Sequence, residues 1–382
     1  MKYNTVKLGD YLYIKGRIGW KGLKKSEYLS DGEYRIINGE SLTKEGIDWN
    51  KAGYITQERY LESPEIMLEP NDILITKDGT IGKIGYVEEI EKPTTVASGI
   101  FVVRNIKPLK INTRFIYHFL TSSYFKRFIK MRTEGSVIPH LYQKDFVELD
   151  FPLPDITLQC KIVGILDAIE KKIRVNSEIN DNLLQQASAI YQAWFEDYIL
   201  YDGSLPSKWR QGTLADIANV TSGKRPPVKS AEKTDTAVIP LVGAASVMGY
   251  TTEANHTDKI LVTGRVGTHG VIQRFNSPCW TSDNTLVITS NFYEYTYQIL
   301  QRIDYSSMNR GSTQPLITQK DMNKVSILIP DQETLHDFET LVGQLMEQYQ
   351  ANILENNKLA EIRDALLPQL MSGELDVSDI NI

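Results

Sequence analysis

Residues 162–194 read IVGILDAIEKKIRVNSEINDNLLQQASAIYQAW, and a seam of mostly apolar positions runs through this stretch at alternating spacings of four and three. Its members are Ile162, Leu166, Ile169, Ile173, Asn176, Asn180, Leu183, Ala187, Ile190 and Trp194. A heptad seam of this length predicts a long helix that packs against another helix, because ordinary core helices seldom keep a strict heptad over so many turns.

A second seam of the same kind lies near the end of the chain. It consists of Leu335, Phe338, Val342, Leu345, Tyr349, Asn352, Asn356, Leu359, Arg363, Leu366 and Leu370. An offset of 176 carries the central asparagines of the first seam, Asn176 and Asn180, onto Asn352 and Asn356. The two helices therefore look like copies of one element.

The two seams predict a coiled coil whose register is fixed by these four asparagines. Sliding by one heptad would leave a buried amide without a partner, which is costly in an apolar seam. An antiparallel arrangement gives the following pairs: Asn176 with Asn356, Leu166 with Leu366, Ile173 with Leu359, Leu183 with Tyr349, and Trp194 with Phe338. A parallel arrangement also matches asparagine with asparagine, so both directions remain open at this point.

The repeat extends outside the helices. At the same offset of 176, eight residues of the first copy recur in the second: Gly135, Ser136, Pro139, Gln143, Lys144, Asp145, Pro154 and Asp155. Upstream, ILITKDGTIGKIG (73–85) resembles ILVTGRVGTHG (260–270). We therefore predict an α+β fold with a pseudo-twofold internal repeat, in which two globular regions (residues 1–154 and 201–330) are each followed by a long helix (residues 155–200 and 331–382).

Each globular region is predicted to consist mainly of short strands. Segments rich in Ile, Val and Thr occur at 72–76, 100–104, 259–263 and 285–289. Helical spacing of apolar residues occurs at 113–131 and 292–303. Asp155 and Asp331 suit the N-cap of the two long helices, and residues 201–207 form the clearest linker.

Composition places the chain among soluble globular proteins, with 41% hydrophobic and 24% charged residues in 382. The sequence has no apolar run of membrane-spanning length, and its start lacks the apolar core of a signal peptide. We therefore expect no membrane association and a cytoplasmic location. The two cysteines, Cys160 and Cys279, lie far apart and fit a reducing compartment.

The net charge of −6 is unevenly distributed. The two helical segments, 155–200 and 331–382, hold 18 acidic and 6 basic residues, so the globular regions together carry +6. Acidic helices with mildly basic globular regions are compatible with a DNA-binding protein whose helices face protein partners.

Catalytic motifs are missing from the sequence. It contains neither a G-x-x-x-x-G-K-[ST] phosphate loop nor a [DN]-P-P-[YF] motif, and its five histidines have no metal-ligand or triad-like spacing. A single-chain methyltransferase or nuclease is the rival interpretation, but we interpret the chain as a binding and assembly protein with no metal, no cofactor and no catalytic residue of its own.

Several basic and polar loops are candidates for DNA contact, because cations bind phosphates and amide, imidazole and guanidinium groups read base edges. The alternative for these loops is solvated surface charge, and for the glycines among them it is hairpin turns. The candidates are Lys15, Arg17, Trp20, Lys21, Lys24, Lys25, Lys77, Lys83, His140, Tyr142, Lys144, Lys224, Arg225, Arg265, His269, Arg310, Gln314 and Lys320.

Over its whole length the chain resembles the specificity subunit of type I restriction-modification systems. The resemblance rests on the repeated order of globular region and helix, on NSEINDNLLQQASAIYQAWF (176–195), and on NNKLAEIRDALLPQLMSGEL (356–375). It implies that the globular regions are target-recognition domains, each reading half of a bipartite, asymmetric site in double-stranded DNA. The helices would then dock two methyltransferase subunits, which carry S-adenosylmethionine, and restriction subunits would join outside.

The dimensions of a helix are compatible with that scheme. A helix of about 33 residues is ~50 Å long, which is about fifteen base pairs of B-DNA. Two recognition domains joined by such helices would read half-sites separated by unread pairs. An orphan or decoy scaffold that assembles with the methyltransferase without reading DNA productively is the alternative.

Overall fold

The computed structural model describes residues 3–18, 22–43, 46–133, 140–308 and 316–380. The chain divides into two compact units, of which unit 1 comprises residues 1–175 and 355–382 and unit 2 comprises residues 176–354. Each unit thus contains one globular region together with a segment of each long helix. The sequence-based boundaries follow the chain, whereas the division by spatial contacts passes through both helices.

The globular region of unit 1 contains three small sheets. Its strands are β1 Asn4–Lys7, β2 Leu12–Gly16, β3 Tyr34–Ile37, β4 Gly53–Ile55, β5 Ile73–Thr76, β6 Ile84–Tyr86, β7 Thr94–Val96, β8 Ile100–Asn105 and β9 Asp150–Leu153. The sheet orders are β2-β8-β5-β6, β4-β3-β7 and β1-β9. The third sheet pairs the first strand of the globular region with its last.

Unit 2 repeats this topology strand for strand. Its strands are β10 Arg210–Thr213, β11 Ala218–Ser222, β12 Ile239–Val242, β13 Val247–Thr251, β14 Ile260–Gly264, β15 Gln273–Phe275, β16 Trp280–Thr281, β17 Thr285–Ser290 and β18 Ser326–Ile329. The orders β11-β17-β14-β15, β13-β12-β16 and β10-β18 match those of unit 1. The predicted α+β class and internal repeat are confirmed.

The helices predicted at 292–303 and in the two long segments are present, but the long helices end at Tyr191 and Ser372, before residues 200 and 382. The described helices are α1 Gln57–Leu61, α2 Thr113–Thr121, α3 Ser123–Thr133, α4 Gln143–Val147, α5 Ile156–Tyr191, α6 Tyr293–Arg302, α7 Gln319–Asn323 and α8 Gln332–Ser372. The single helix predicted at 113–131 is wrong. Ser122 is extended (ψ 160°), and its hydroxyl oxygen accepts a hydrogen bond from the backbone N–H of Phe125, so a second helix starts there.

The two long helices begin where the sequence predicts. The side chain of Asp155 accepts from the backbone N–H of Leu158 at 3.0 Å, and Asp331 accepts from that of Thr334 at 3.2 Å. These bonds satisfy amides at the free helix N-terminus, where an acidic side chain also favours the helix dipole.

The predicted linker 201–207 is tied down at its first residue. The hydroxyl of Tyr201 lies 2.7 Å from that of Thr334, and its ring packs against Trp209. Trp209 in turn donates from Nε1 to Asp331 at 2.9 Å. The start of this segment is therefore anchored to the N-terminus of α8.

Within each unit the segments of α5 and α8 run antiparallel. In unit 2, Asn352 Nδ2 donates to Asn180 Oδ1 at 2.9 Å, and the ring of Trp194 lies 5.8 Å from that of Phe338. Residue numbers therefore fall along α8 as they rise along α5. In unit 1, Asn356 Nδ2 donates to the carbonyl of Ile173, and Ile162, which precedes Ile173, shares a core cluster with Leu367, which follows Asn356. The parallel alternative is excluded within both units, and Trp194 with Phe338 confirms the antiparallel register.

Each globular core continues onto its helix segments. In unit 1 the core cluster includes residues of both long helices, among them Leu158, Ile162, Leu166, Leu367 and Leu370. In unit 2 the corresponding cluster is aromatic: Tyr191, Phe195, Tyr295 and Phe338 pack mostly edge to face. Apolar burial of this kind fixes each globular region on its helices.

The Asn180–Asn352 pair makes a testable contribution to stability. We expect Asn352→Ala to lower the free energy of unfolding of unit 2 by ~1–3 kcal/mol, because the buried Oδ1 of Asn180 loses its donor. Replacing both residues with Leu should cost less than the single change, since no buried polar group is then left unpaired. Urea unfolding followed by circular dichroism measures both effects.

The control is Asn182→Ala, at an exposed position of α5, the helix that carries Asn180. It should change the free energy of unfolding by no more than ~0.5 kcal/mol. A double Leu variant that is less stable than Asn352→Ala would contradict this account of the pair.

The two cysteines should differ in reactivity. Cys160 is exposed, whereas Cys279 is fully buried, and burial raises the pKa of its thiol to about 11. Because the thiolate is the reactive form, we expect one fast thiol in the native protein and a second only after unfolding. Titration with a thiol reagent, with Cys160→Ser as the control, measures this; two fast native thiols would contradict the burial of Cys279.

Among the described residues, none of the helices combines the length and the apolar character that crossing a membrane requires.

Candidate nucleic-acid interface

In unit 1, two of the predicted DNA-contacting loops leave the four-stranded sheet at the same end. Gly16 and Thr76, the last residues of β2 and β5, pair with the first two residues of β8. The basic loop of unit 1 (residues 17–25, of which 19–21 are outside the described stretches) and the glycine loop of unit 1 (residues 77–83) therefore start from neighbouring positions. A Cβ atom placed on Gly16 would lie 3.3 Å from Lys77 Nζ.

Unit 2 repeats the arrangement. Ser222 and Gly264, the last residues of β11 and β14, pair with the first two residues of β17. The basic loop of unit 2 (residues 223–229) and the glycine loop of unit 2 (residues 265–270) therefore also leave from one sheet end. The antiparallel topology alone brings together strand ends that are 60 residues apart in unit 1 and 42 residues apart in unit 2.

Two backbone hydrogen bonds hold the first residue of the glycine loop in unit 1. The N–H of Lys77 donates to the carbonyl of Gly99 at 2.8 Å, and the carbonyl of Lys77 accepts from the N–H of Leu141 at 3.1 Å. We call this pair of bonds the loop clamp. It joins the glycine loop to the lead-in segment, residues 140–144, which runs into α4.

Unit 2 has the same loop clamp at Arg265. The N–H of Arg265 donates to the carbonyl of Asn284 at 2.8 Å, and its carbonyl accepts from the N–H of Ile317 at 3.0 Å. Its lead-in segment is residues 316–320, which runs into α7. Lys77 and Arg265 are therefore equivalent residues, and both are cations that the sequence predicted for DNA contact.

The glycines of these loops serve the turns. Gly82 and Gly270 are equivalent, and both have positive φ, 85° and 79°. Such values are strained for residues with a side chain, so the turn itself requires glycine at these positions. This observation favours the hairpin interpretation of the glycines over direct contact with phosphate.

The lead-in segment of unit 1 presents several polar side chains. His140 Nδ1 is hydrogen-bonded to the Asp78 carboxylate, and the imidazole packs against the ring of Tyr142, with centroids 4.6 Å apart. Tyr142 is 54% exposed, and the ammonium of Lys144 lies over its ring. A cation, a phenol and an imidazole therefore share one surface next to Lys77.

The lead-in segment of unit 2 is built differently. Gln319 Nε2 donates to the hydroxyl of Ser222 at 2.8 Å, which ties this segment to the end of β11. Lys320 is exposed and Arg265 is half-buried. The amide of Gln319 thus has a structural partner, as the recurrence of this glutamine in both copies indicates.

Some of the predicted contact residues are partly engaged within the protein. The ammonium groups of Lys15 and Lys77 lie over the rings of Tyr13 and Phe101, and Lys83 donates to the carbonyl of Gly39. Such lysines can still bind a phosphate, because an ammonium group has three N–H donors and uses only one of them toward a ring or a carbonyl.

The second basic loop carries three exposed cations, which are the predicted contact residues Lys224 and Arg225 and, in addition, Lys229. Burial lowers the pKa of the nearby His256, and the charge of Lys224 lowers it further, so His256 is mainly neutral at pH 7. His269, in the glycine loop, has its Nδ1 3.0 Å from the carbonyl oxygen of Gly264. That imidazole therefore supports the turn at the sheet end.

Four predicted contact residues lie outside the described stretches of the chain: Trp20, Lys21, Arg310 and Gln314. Lys24 is described and exposed, and its backbone N–H donates to the carboxylate of Glu27. Lys25 begins a short 3-10 turn, of which only the backbone is described.

The prediction for Arg17 needs correction. This side chain is 2% exposed, and its guanidinium donates to the carbonyl of Val96 and to the hydroxyls of Ser63 and Thr95. Burial lowers the pKa of Arg17, and the charge of Arg59 lowers it further. Because its donors are turned into the protein, Arg17 is removed from the proposed DNA contacts.

The structure also brings together a group that sequence spacing did not reveal. His118, Asp167 and Glu170 place one possible metal-ligand atom each within 4.8 Å of one another. Arg114 donates to both carboxylates, at 2.6 Å to Asp167 and 3.1 Å to Glu170. Burial alone would raise the pKa of Asp167, but the hydrogen bonds from His118 and Arg114 lower it overall. This arrangement joins α2 to α5, and the guanidinium of Arg114 stabilises the two carboxylates.

A comparison with protein families gives one match over most of the chain. The model described as the type I restriction modification DNA specificity domain matches residues 1–185 and 206–364. The two matched segments correspond to the two copies of the internal repeat.

Individual relatives agree with that match. The specificity subunit of the type I restriction enzyme MjaIX of Methanocaldococcus jannaschii is 26% identical over 365 residues, covering 85% of this chain and 82% of that protein. The specificity subunit of the type I restriction enzyme HindI of Haemophilus influenzae is 21% identical over 346 residues, covering 67% and 75%.

Among solved structures, the S subunit of a type I restriction-modification system from M. genitalium superposes with a TM-score of 0.57 at 19% identity. The superposition covers 98% of this chain and 97% of that one. At this level of identity the likeness supports the fold.

Proposed function

Because the chain belongs to the type I restriction-modification DNA specificity family, we propose that its two units each read one half of a bipartite, asymmetric site in double-stranded DNA. The protein works as the specificity subunit of a type I restriction-modification complex. Base recognition is its task, and the chemistry belongs to other subunits.

The loop clamp is the observation that carries this proposal furthest. Lys77 and Arg265 are fixed by the same two backbone bonds at the same sheet end of two repeated domains. A phosphate contact needs a cation held at a defined place on the backbone of the duplex, and two such cations in repeated frames suit two half-sites.

The surroundings of the clamped residues differ between the units. Unit 1 adds the imidazole, phenol and ammonium of its lead-in segment, whereas unit 2 adds three exposed cations from a proline-containing loop. Cations position a protein on DNA, while differing polar and apolar side chains read base edges. Different half-site sequences are the expected consequence.

The long helices have a different partner. Their segments are acidic, with 18 acidic and 6 basic residues in 155–200 and 331–382, and DNA would repel them. We propose that they dock two methyltransferase subunits and that restriction subunits join outside these. S-adenosylmethionine is then bound by the methyltransferase, where a target adenine is flipped out of the duplex for methylation.

The experiment is to assemble the chain with its cognate methyltransferase subunit, weigh the complex by mass photometry, and map methylated adenines in DNA exposed to it. We expect two methyltransferases to one chain and a split, asymmetric motif. A stable complex that methylates no motif would point to the decoy scaffold, and methylation by the chain alone would overturn the non-catalytic assignment.

Single-unit variants sharpen this test. Lys77→Ala and Arg265→Ala should each weaken binding to all sequences and reduce the slope of log K against log salt by about 1, as loss of one phosphate contact does. Lys110→Ala and Lys259→Ala are the matched controls, because both lysines lie at the opposite ends of the same sheets. Equal effects from the controls would place the DNA elsewhere.

A further inference from the structure

The loop clamp places one further pair of side chains at equivalent positions in the two units. Asp78 follows Lys77, and His140 precedes Leu141; Val266 follows Arg265, and Leu316 precedes Ile317. Since the residues on the clamp are equivalent, the next residues along the chain are equivalent as well. Asp78 corresponds to Val266, and His140 corresponds to Leu316.

The two pairs occupy the same place with opposite chemistry. In unit 1, the carboxylate of Asp78 is hydrogen-bonded to Nδ1 of His140. In unit 2, Val266 and Leu316 form an isolated antiparallel bridge, and both side chains are aliphatic. One unit therefore presents a charged, hydrogen-bonding pair next to its clamped cation, and the other presents an apolar pair.

A purely structural role does not explain the hydrogen bond between Asp78 and His140 in unit 1. The loop clamp of unit 2 has the same bonds at nearly the same lengths, although Val266 and Leu316 have no polar side-chain group to form such a hydrogen bond. The side chains of Asp78 and His140 are 45% and 28% exposed, and polar pairs with such exposure contribute little to stability. Holding the loop therefore does not require this pair.

The geometry instead suits base reading. The carboxylate fixes the imidazole through Nδ1, the Tyr142 ring supports one side of it, and Nε2 is then the nitrogen that can meet a base edge. Val266 and Leu316 can meet a base only through apolar contact, for which the methyl group of thymine is the partner in the major groove.

We infer that the pair at this position, Asp78 with His140 in unit 1 and Val266 with Leu316 in unit 2, is a specificity determinant that makes the two half-sites differ. This inference rests on the proposed function. Unit 1 uses it to hydrogen-bond a base edge next to the phosphate held by Lys77. Unit 2 uses it to contact a thymine methyl next to the phosphate held by Arg265.

The test exchanges the pairs reciprocally in the complex with the methyltransferase. One variant carries Asp78→Val with His140→Leu, and the other carries Val266→Asp with Leu316→His. We expect each exchange to change the base preference about tenfold or more at one or two positions of a single half-site. The other half-site and the spacer should stay the same.

Two controls accompany the exchange. Lys7 and Asp150 form an exposed ion pair in unit 1 at 2.7 Å, away from the loop clamp, and Lys7→Leu with Asp150→Val should leave the motif unchanged. His140→Phe keeps a ring beside Tyr142 and removes only the hydrogen-bonding groups. It should lose discrimination at the same position as the exchange, which keeps the inference testable if a double variant fails to fold.

The outcomes separate the two levels of the argument. Suppose that the wild-type complex methylates a split motif, and that both exchange variants and His140→Phe methylate the same motif at unchanged relative rates. This result would overturn the inference and leave the proposed function standing. A wild-type complex without a split motif would overturn both. A change confined to one half-site in each exchange supports the inference.

Discussion

Replacing Phe338 with alanine is expected to lower the free energy of unfolding of unit 2 by about 3–5 kcal/mol, the largest effect of any single core substitution proposed for this chain. Phe338 is fully buried on α8, and its ring contacts those of Tyr191, Phe195 and Tyr295 at centroid distances of 5.0–6.2 Å. Truncation removes these contacts and leaves a cavity that rigid aromatic neighbours cannot fill.

The position of Phe338 extends the effect beyond its own helix. Tyr191 and Phe195 belong to the end of the first helical segment, and Tyr295 belongs to α6 of the globular region. The cavity would therefore loosen both the helix pair and its attachment to the domain. Urea unfolding of the variant should show an early transition for unit 2.

Leu341→Ala is the matched control, because Leu341 lies on the same helix and is 41% exposed. Its effect should stay below about 1 kcal/mol. Similar losses from the two variants would mean that the aromatic cluster does not hold unit 2 together.

Gly264→Ala is expected to lower the free energy of unfolding by about 2 kcal/mol or more and to weaken recognition by unit 2 alone. Gly264 is the last residue of β14, directly before Arg265. A Cβ there would lie 1.8 Å from the carbonyl oxygen of Thr268 and 2.9 Å from Cβ of Ala244. Both are groups that cannot rotate away, so the strand end must separate from the turn.

That separation would displace Arg265 from the loop clamp. We expect a loss of about 10- to 100-fold in discrimination at the half-site of unit 2, with the half-site of unit 1 intact. Methylation mapping and a melting curve on the same preparation measure the two effects together.

Gly343→Ala is the same chemical change, and we expect it to have the opposite effect on stability. Gly343 lies inside α8, and a Cβ there meets nothing within 4 Å, so alanine should stabilise the helix by roughly 0.5–1 kcal/mol. A Gly264→Ala protein as stable as the Gly343→Ala protein, with an unchanged motif, would show that the close approach to Thr268 is unimportant.

The elements that could be predicted from the sequence are those that depend on local or periodic signals. The heptad seams gave the long helices and, through the antiparallel pairing, the contact of Trp194 with Phe338. Asp155 and Asp331 marked the helix starts because an N-cap bond reaches only three residues. The constant offset indicated the repeated topology.

What could not be predicted depends on which residues face one another across the fold. Arg17 follows a strand within a basic loop, and nothing in its neighbourhood indicates that Val96, far along the chain, would accept from its guanidinium. His118 and Asp167 are similarly distant in sequence. The break at Ser122 was missed because the apolar spacing continues through it while the backbone does not.

The candidate site shows the same division. The sequence identified basic loops in both copies, but the equivalence of Lys77 with Arg265 emerged only from backbone bonds to Leu141 and Ile317. The offset between the two copies differs for the glycine loops and for the lead-in segments. Aligning the copies at one offset therefore does not show that Asp78 with His140 corresponds to Val266 with Leu316.

The division of the chain into units also determines the order in which they can complete their folding. Unit 2 is one continuous segment, 176–354, whereas unit 1 needs residues 355–382 for a core that includes Leu367, Leu370 and Met371. On the ribosome, the globular region of unit 1 is translated first, but some of its apolar surface stays uncovered until residues 355–382 have emerged. By then, all of unit 2 has already emerged. The usual vectorial order, in which the N-terminal domain finishes first, is reversed. A released chain that ends at residue 354 would hold all of unit 2 and an incomplete unit 1.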